Sequence, residues 1–109
     1  MKHPFLGIWR IVEMEQWDRE HLDIASPAHI SFAQDGSGHL HFICVDAGLE
    51  WTIEQSKGRV TFTFSGFDEG DEVSGSGWVK TDKDKLTGWL GFHLGDKSGF
   101  VAVKTESLD

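Results

Sequence analysis

Four groups of residues in this chain have the types and spacing to do chemistry. His39 and His41 lie two apart in the run HLHFICV. On a strand that spacing puts both imidazoles on one side of the sheet, about 6–7 Å apart. His93 joins them if the fold brings its strand alongside, and three imidazoles on one face would suit zinc or another borderline metal. No Cys or carboxylate completes a ligand spacing around them, so the plainer reading is preferred: His39 and His41 face water beside a turn, and His93 is a hydrogen-bonded residue at a strand end. No metal and no cofactor is expected. Glu13 and Glu15 point the same way from the first strand, with Asp18 and Asp23 in the connection that follows. Paired carboxylates can do acid–base work when one of them is desolvated, but nothing pins an opposite partner. Ser98 and His93 lack the strand-to-helix elbow that presents a serine nucleophile. No catalytic residue is assigned, and whether the chain is an enzyme is left open.

Asp68, Glu69, Asp71 and Glu72 flank Gly70. Such an oxygen cluster could hold calcium or accept a cationic partner, but the spacing does not fit the helix-flanked calcium loop, and a solvated acidic turn is preferred. Trp17, Trp51, Trp78 and Trp89 could line an apolar ligand pocket, since pockets of this kind are mostly aromatic with a few polar groups. A filled core is the alternative. The residues expected to contact a ligand are therefore Glu13, Glu15, Trp17, His41, Trp51, Trp78, Trp89 and His93.

The elements that must position these groups are strands. Glu72 to Lys104 reads as three antiparallel strands joined by two polar turns, Thr81–Lys85 and Gly95–Gly99, both rich in residues that tolerate turn dihedrals. Gly75, Gly77, Gly88 and Gly91 interrupt these strands beside Trp78 and Trp89, where glycine permits a sharp bend or a ring packed on the backbone. Earlier in the chain, Phe5–Glu15 is the first strand. Gln16–Pro27 is the one long connection and carries the one helical signal, Asp18 before Arg19–Leu22, with Trp17 and Leu22 spaced as a hydrophobic staple. Short strands follow at Ala28–Gln34, His39–Asp46, Leu49–Gln55 and Arg59–Ser65, with turns at Asp35–Gly38, Ala47–Gly48 and Ser56–Gly58. Val60, Phe62 and Phe64 alternate with Thr61, Thr63 and Ser65, the period of a half-buried strand. About eight hairpin-linked strands close most naturally into an all-β, antiparallel up-and-down barrel, just wide enough to be filled by side chains or to hold one small ligand. A β-sandwich is the alternative.

Composition bounds the rest. The 109 residues make one domain, 1–109, and five Trp and eight Phe with no Tyr supply most of its core volume. The formal charge of −8 repels phosphate backbones and anionic lipid surfaces, so neither nucleic acid nor membrane is an expected partner. One cysteine, Cys44, forms no internal disulfide and reads as a buried strand thiol. With no apolar run for a leader or a membrane span, a cytoplasmic location is expected.

Gly7-x-Trp9 on the first strand, a long first connection, seven hairpin-linked strands and a basic residue late in the last one resemble the calycin plan of lipocalins and their relatives. That resemblance implies a barrel whose floor is closed by Trp9 with Lys104 packed across it. The blocks Glu13-Met14-Glu15-x-Trp17-Asp18, Asp68-Glu69-x-Asp71, Gly75-x-Gly77-Trp78 and Phe92-His93-x-Gly95-Asp96-x-Ser98-x-Phe100 resemble a family of small uncharacterised bacterial proteins. This second resemblance implies the domain boundaries and no activity.

The first and last two strands carry apolar residues on both faces: Ile8, Val12 and Met14 against Trp9 and Ile11; Leu90 and Phe92 against Trp89; Val101 and Val103 against Phe100 and Ala102. Only one face can point inward, so an outer apolar patch and a homodimer through residues 8–14, 89–94 and 100–104 are expected. The functional expectation is non-enzymatic binding of a small apolar or amphipathic ligand, with Gln16–Pro27 as a lid over the barrel mouth. The alternatives are a homo-oligomeric interaction module with a filled barrel, and a metal protein or enzyme using His41, His93 and the Glu13/Glu15 pair.

Overall fold

The computed structural model describes residues 4–106, so the two ends of the assigned domain, 1–3 and 107–109, lie outside the described residues. Eight antiparallel strands follow one another in chain order: β1 (Gly7–Met14), β2 (His29–Phe32), β3 (Ser37–Phe42), β4 (Val45–Glu54), β5 (Arg59–Asp68), β6 (Asp71–Asp82), β7 (Lys85–Phe92) and β8 (Lys97–Thr105). Each pairs with its sequential neighbour, and β8 pairs back onto β1 from Ile8↔Thr105 to Met14↔Phe100. The sheet is therefore a closed up-and-down barrel and not a sandwich. One helical turn, α1 (Arg19–Leu22), lies in the connection after β1. Asp18 precedes it in extended conformation, as a cap should, but its side chain makes no capping hydrogen bond.

The interior is filled. Trp9, Ile30, Leu40, Phe42, Val79, Leu86, Leu90 and Ala102 are completely buried, and Phe32, Phe62, Phe64 and Phe100 nearly so. Glycines make room for these rings. Gly75 and Gly77 face inward on β6, and a Cβ on Gly77 would sit 2.1 Å from the Trp89 carbonyl oxygen and 2.7 Å from Cζ of Phe62. A Cβ on Gly75 would meet Phe64 in the same way. The aromatic rings of β5 thus occupy the space that side chains on β6 would take, the ring-on-backbone packing expected of these glycines.

One end of the barrel is the floor. Trp9 donates its indole N–H to the Phe5 carbonyl at 2.8 Å, and Phe5 meets Trp51 edge-on with ring centroids 4.8 Å apart. Lys104 lies over the Trp9 ring, 4.8 Å from its centroid, and donates to the Leu6 carbonyl. Trp9 and Lys104 therefore meet across the floor, and Trp51 belongs to this end.

Two departures from the sequence reading have physical causes. The turn between the third and fourth strands is Ile43-Cys44, not Ala47-Gly48, because Val45, Ala47 and Leu49 occupy successive inward positions and the apolar period carries the strand through the glycine. Cys44 consequently sits half-exposed on a turn and not buried in a strand. Partial burial, with Glu69 alongside, pushes its thiol above the usual range. The second departure is a bulge in β1, where the pairing with β8 jumps between Ile11 and Glu13. Val12 is the extra residue, and Met14 returns to the interior beside Trp9 and Ile11. The outer face of β1, β7 and β8 accordingly keeps Ile8, Val12, Trp89, Val101 and Val103, while Met14, Leu90, Phe100 and Ala102 are core.

Gly77→Ala should lower stability by about 1–3 kcal/mol, the usual cost of overpacking a full core. Gly48→Ala, whose Cβ would meet nothing within 4 Å, should leave stability nearly unchanged. Urea denaturation of both variants checks the pair, and equal stabilities would contradict the filled interior.

Candidate functional site

At the opposite end from the floor, the mouth is built from the turns β3–β4, β5–β6 and β7–β8 and from the connection after β1. β2 has only four residues, so between β1 and β3 the sheet is short at this end. The connection fills that gap. Leu22 is buried in the core, its carbonyl accepts a hydrogen bond from the Ile43 amide at 2.8 Å, and the Ile11 amide donates to the Ala28 carbonyl at 2.9 Å. Arg19 ties back to the Val12 carbonyl at 2.9 Å, and Arg10 pairs with Asp23.

Trp17 is carried across the mouth by this framework. Its ring lies 5.3 Å from that of Phe42 and 6.3 Å from that of Phe92. The residue before it is held by Ser98, a fully buried side chain of β8 whose hydroxyl accepts from the Gln16 amide at 3.2 Å and donates to the Gly99 carbonyl at 2.8 Å. That hydroxyl anchors the connection and is not presented as a nucleophile.

Beside Trp17 lies an open cleft of about 630 Å³, with Phe42, Ile43, Val45, Val73 and Phe92 as its apolar wall. Asp68, Glu69, Glu72, Asp96 and His93 form the polar side. The volume is that of a small-ligand site. Three mouth turns hold a non-glycine residue in the left-handed region: Ile43 (φ 56°), Glu69 (φ 51°) and Leu94 (φ 59°). Such positions cost of order 1–3 kcal/mol each and are over-represented at ligand clamps, although Lys83 (φ 60°) shows the same conformation in a turn at the floor end. No three His, Cys, Asp or Glu side chains among the described residues are grouped to hold a metal ion, the acidic turn and the histidines included.

The eight candidate ligand residues are thus distributed over five places. Trp17 and His93 both line the mouth cleft. Trp51 is at the floor. Trp78 and Trp89 face outward from β6 and β7, opposite one another in the ladder, where Arg59 covers Trp78 at 5.2 Å from the ring centroid. They line shallow outer grooves of about 930 and 660 Å³ floored by Ser, Thr and Gly. These grooves are larger than the mouth cleft and lie on the open barrel wall, where Leu49, Phe62, Phe64, Trp78, Trp89 and Phe92 line them beside the hydroxyls. Glu13 and Glu15 are both exposed, and Glu15 accepts from the Gly99 amide at 2.9 Å.

His41 is outward-facing on β3, yet only 8% exposed, because Ser26 of the connection covers it with a 2.7 Å hydrogen bond. Burial lowers its pKa, opposed by Asp46, and His29 and His39 lower it further. The residue that sequence reasoning missed is His29. It stands opposite His41 in the β2–β3 ladder, while Ser31 stands opposite His39. The observed turn places Ala33 opposite Ser37, and counting outward from that pair reaches His29 opposite His41, whereas a turn at Asp35–Gly38 does not. His93 is not part of this cluster.

No protein-family model, curated protein or solved structure matches the chain. Among the described residues no helix is long and apolar enough to cross a membrane. The class of protein the coordinates define is an eight-stranded closed β-barrel with a filled interior and an aromatic, acid-rimmed mouth.

Ser98→Ala removes the acceptor for the Gln16 amide. A loss of about 1 kcal/mol is expected, together with faster hydrogen exchange at Gln16 and none at Leu40 in the barrel wall. Unchanged exchange at Gln16 would contradict the anchoring role.

Proposed function

We propose that this chain is a non-enzymatic binding protein whose mouth cleft takes a small amphipathic ligand with an apolar body and a cationic head. The observation that carries the reading is the composition of the cleft: Trp17, Phe42 and Phe92 on one side, and Asp68, Glu69, Glu72 and Asp96 on the other. Aromatic faces attract organic cations as well as apolar surface, and carboxylates in a partly enclosed cleft add charge complementarity. The filled core moves the ligand from the barrel lumen, where a hollow barrel would hold it, to the mouth beneath Trp17. An overall charge of −8 favours approach of a cation and disfavours nucleic acid and anionic membranes. A reducing, cytoplasmic setting suits a chain whose single thiol has no partner cysteine.

The test compares octyltrimethylammonium, octanol and octyl sulfate as probes of equal chain length, followed by amide shifts of the labelled protein. The cation should bind tightest and the anion weakest, with shifts centred on Phe92, His93 and Val73. Glu72→Gln should weaken the cation by roughly two- to fivefold and leave octanol unaffected, the size expected for one exposed ion pair. Shifts confined to the Trp78 and Trp89 grooves, or no preference for the cation, would overturn the reading.

A second reading concerns assembly. Ile8, Val12, Trp89, Val101 and Val103 share the outer wall of β1, β7 and β8, and Val103 is 39% exposed. A homodimer through this wall would bury it about a twofold axis. Light scattering should then show a dimer that Val103→Lys dissociates, and monomer mass at all concentrations would reject it.

A further inference from the structure

The three outward histidines of β2 and β3 form a hydrogen-bonded array whose protons can be counted. His29 Nδ1 lies 3.0 Å from the Pro27 carbonyl oxygen. His29 Nε2 lies 2.9 Å from His39 Nδ1, and His39 Nε2 lies 2.5 Å from the Asp46 carboxylate. The planes of the two rings differ by 27° with centroids 5.0 Å apart, so they meet edge to edge, and the His41 ring lies 5.9 Å from that of His29.

A carbonyl and a carboxylate only accept hydrogen bonds. His29 must therefore carry a proton on Nδ1, and His39 must carry one on Nε2. In two neutral rings the remaining nitrogens, His29 Nε2 and His39 Nδ1, would then both be bare lone pairs facing each other at hydrogen-bond distance. One further proton between them turns that repulsion into a hydrogen bond, and the Asp46 carboxylate balances its charge. We propose that His29 and His39 hold one proton between them beyond those of two neutral imidazoles, and that with His41 they form a proton-dependent latch fastening the Gln16–Pro27 connection to the barrel wall.

Two contacts of the array fall on the connection: His29 with the Pro27 carbonyl, and His41 with the Ser26 hydroxyl. Just upstream, Asp23 accepts from the Ala28 amide at 2.7 Å and pairs with Arg10 of β1. The charged groups facing the array are thus Asp46 from β4 and Asp23 from the connection, the latter already engaged by Arg10. Losing the shared proton sets lone pair against lone pair. Gaining another sets N–H against N–H at the same short distance and adds charge beside His41. The array is satisfied only between these limits.

His41 sharpens the acid limit. Its pKa is lowered in the folded chain, so the unfolded state binds more protons as pH drops below the ordinary histidine value of about 6.5. The stability it contributes is present above that value and is lost as pH falls toward the folded pKa. The latch belongs to the chain itself and holds with or without a ligand at the mouth.

The test is nitrogen-resolved NMR of the imidazoles in the full chain, with amide exchange at Ala28 and Ile43 measured against Leu40, across about pH 5 to 8, where histidine changes charge. The expected result is three N–H protons across the four nitrogens of His29 and His39 near neutrality, with a coupling between His29 Nε2 and His39 Nδ1. Protection of Ala28 and Ile43 relative to Leu40 should fall roughly tenfold on acidification, in step with the ring signals. His29→Gln should reduce that pH dependence to the part that His41 supplies, while the barrel amides stay protected. Only two N–H protons on the pair, or a protection ratio that stays constant through the whole ring titration, would overturn the proposal. The wild-type series decides the matter even if the variant fails to fold.

Discussion

Closure of the sheet is the constraint on which the rest of this structure depends. Pairing β8 with β1 removes both edges and forces the inward residues of all eight strands into one small space. Aromatic rings fill it, and Gly75 and Gly77 are bare because the rings of Phe64 and Phe62 occupy the volume beside them. The bulge at Val12 serves the same closure. It returns Met14 to the interior and lets β1 follow β8 to the mouth.

A filled barrel leaves function to its ends and its wall. The floor is closed by Trp9, Phe5 and Trp51 with Lys104 above, an aromatic and cationic plug. The mouth is finished by a segment outside the sheet, because β2 is short and a connection must occupy the gap it leaves. That connection is held by unlike anchors: Leu22 by burial, Gln16 by the Ser98 hydroxyl, and Ser26 and Pro27 by histidines. The last anchors change with protonation in the range where histidine changes charge, which is why the wall histidines and the mouth are coupled through one piece of backbone.

The Ser98 hydroxyl is engaged at both its donor and its acceptor, Glu13 and Glu15 have separate surroundings, and His93 stands apart from the other histidines. The mouth joins apolar rings with carboxylates, and it is this lining on which the proposed binding of an amphipathic cation rests.

Much of the fold was legible in the sequence. Period-two alternation in Val60–Ser65, polar turns at regular spacing and one helical signal before Leu22 lead to eight strands and a closed barrel, because burial of alternate residues is a local property of a strand. The turn at Ile43-Cys44 was not legible. A β-branched residue in a left-handed turn contradicts local preference, and only the inward register of Val45, Ala47 and Leu49 overrides it. The direction of Met14 was hidden for a similar reason, since a one-residue bulge reverses a face and leaves no mark in composition. His39 and His41 were visible as a pair, but the partnership with His29, the cover supplied by Ser26 and the counter-charge of Asp46 arise from pairing between strands and from a loop folded over them. Sequence spacing determines which side chains share a face; only tertiary closure decides which of those faces meet, and on that meeting the protons and the mouth depend.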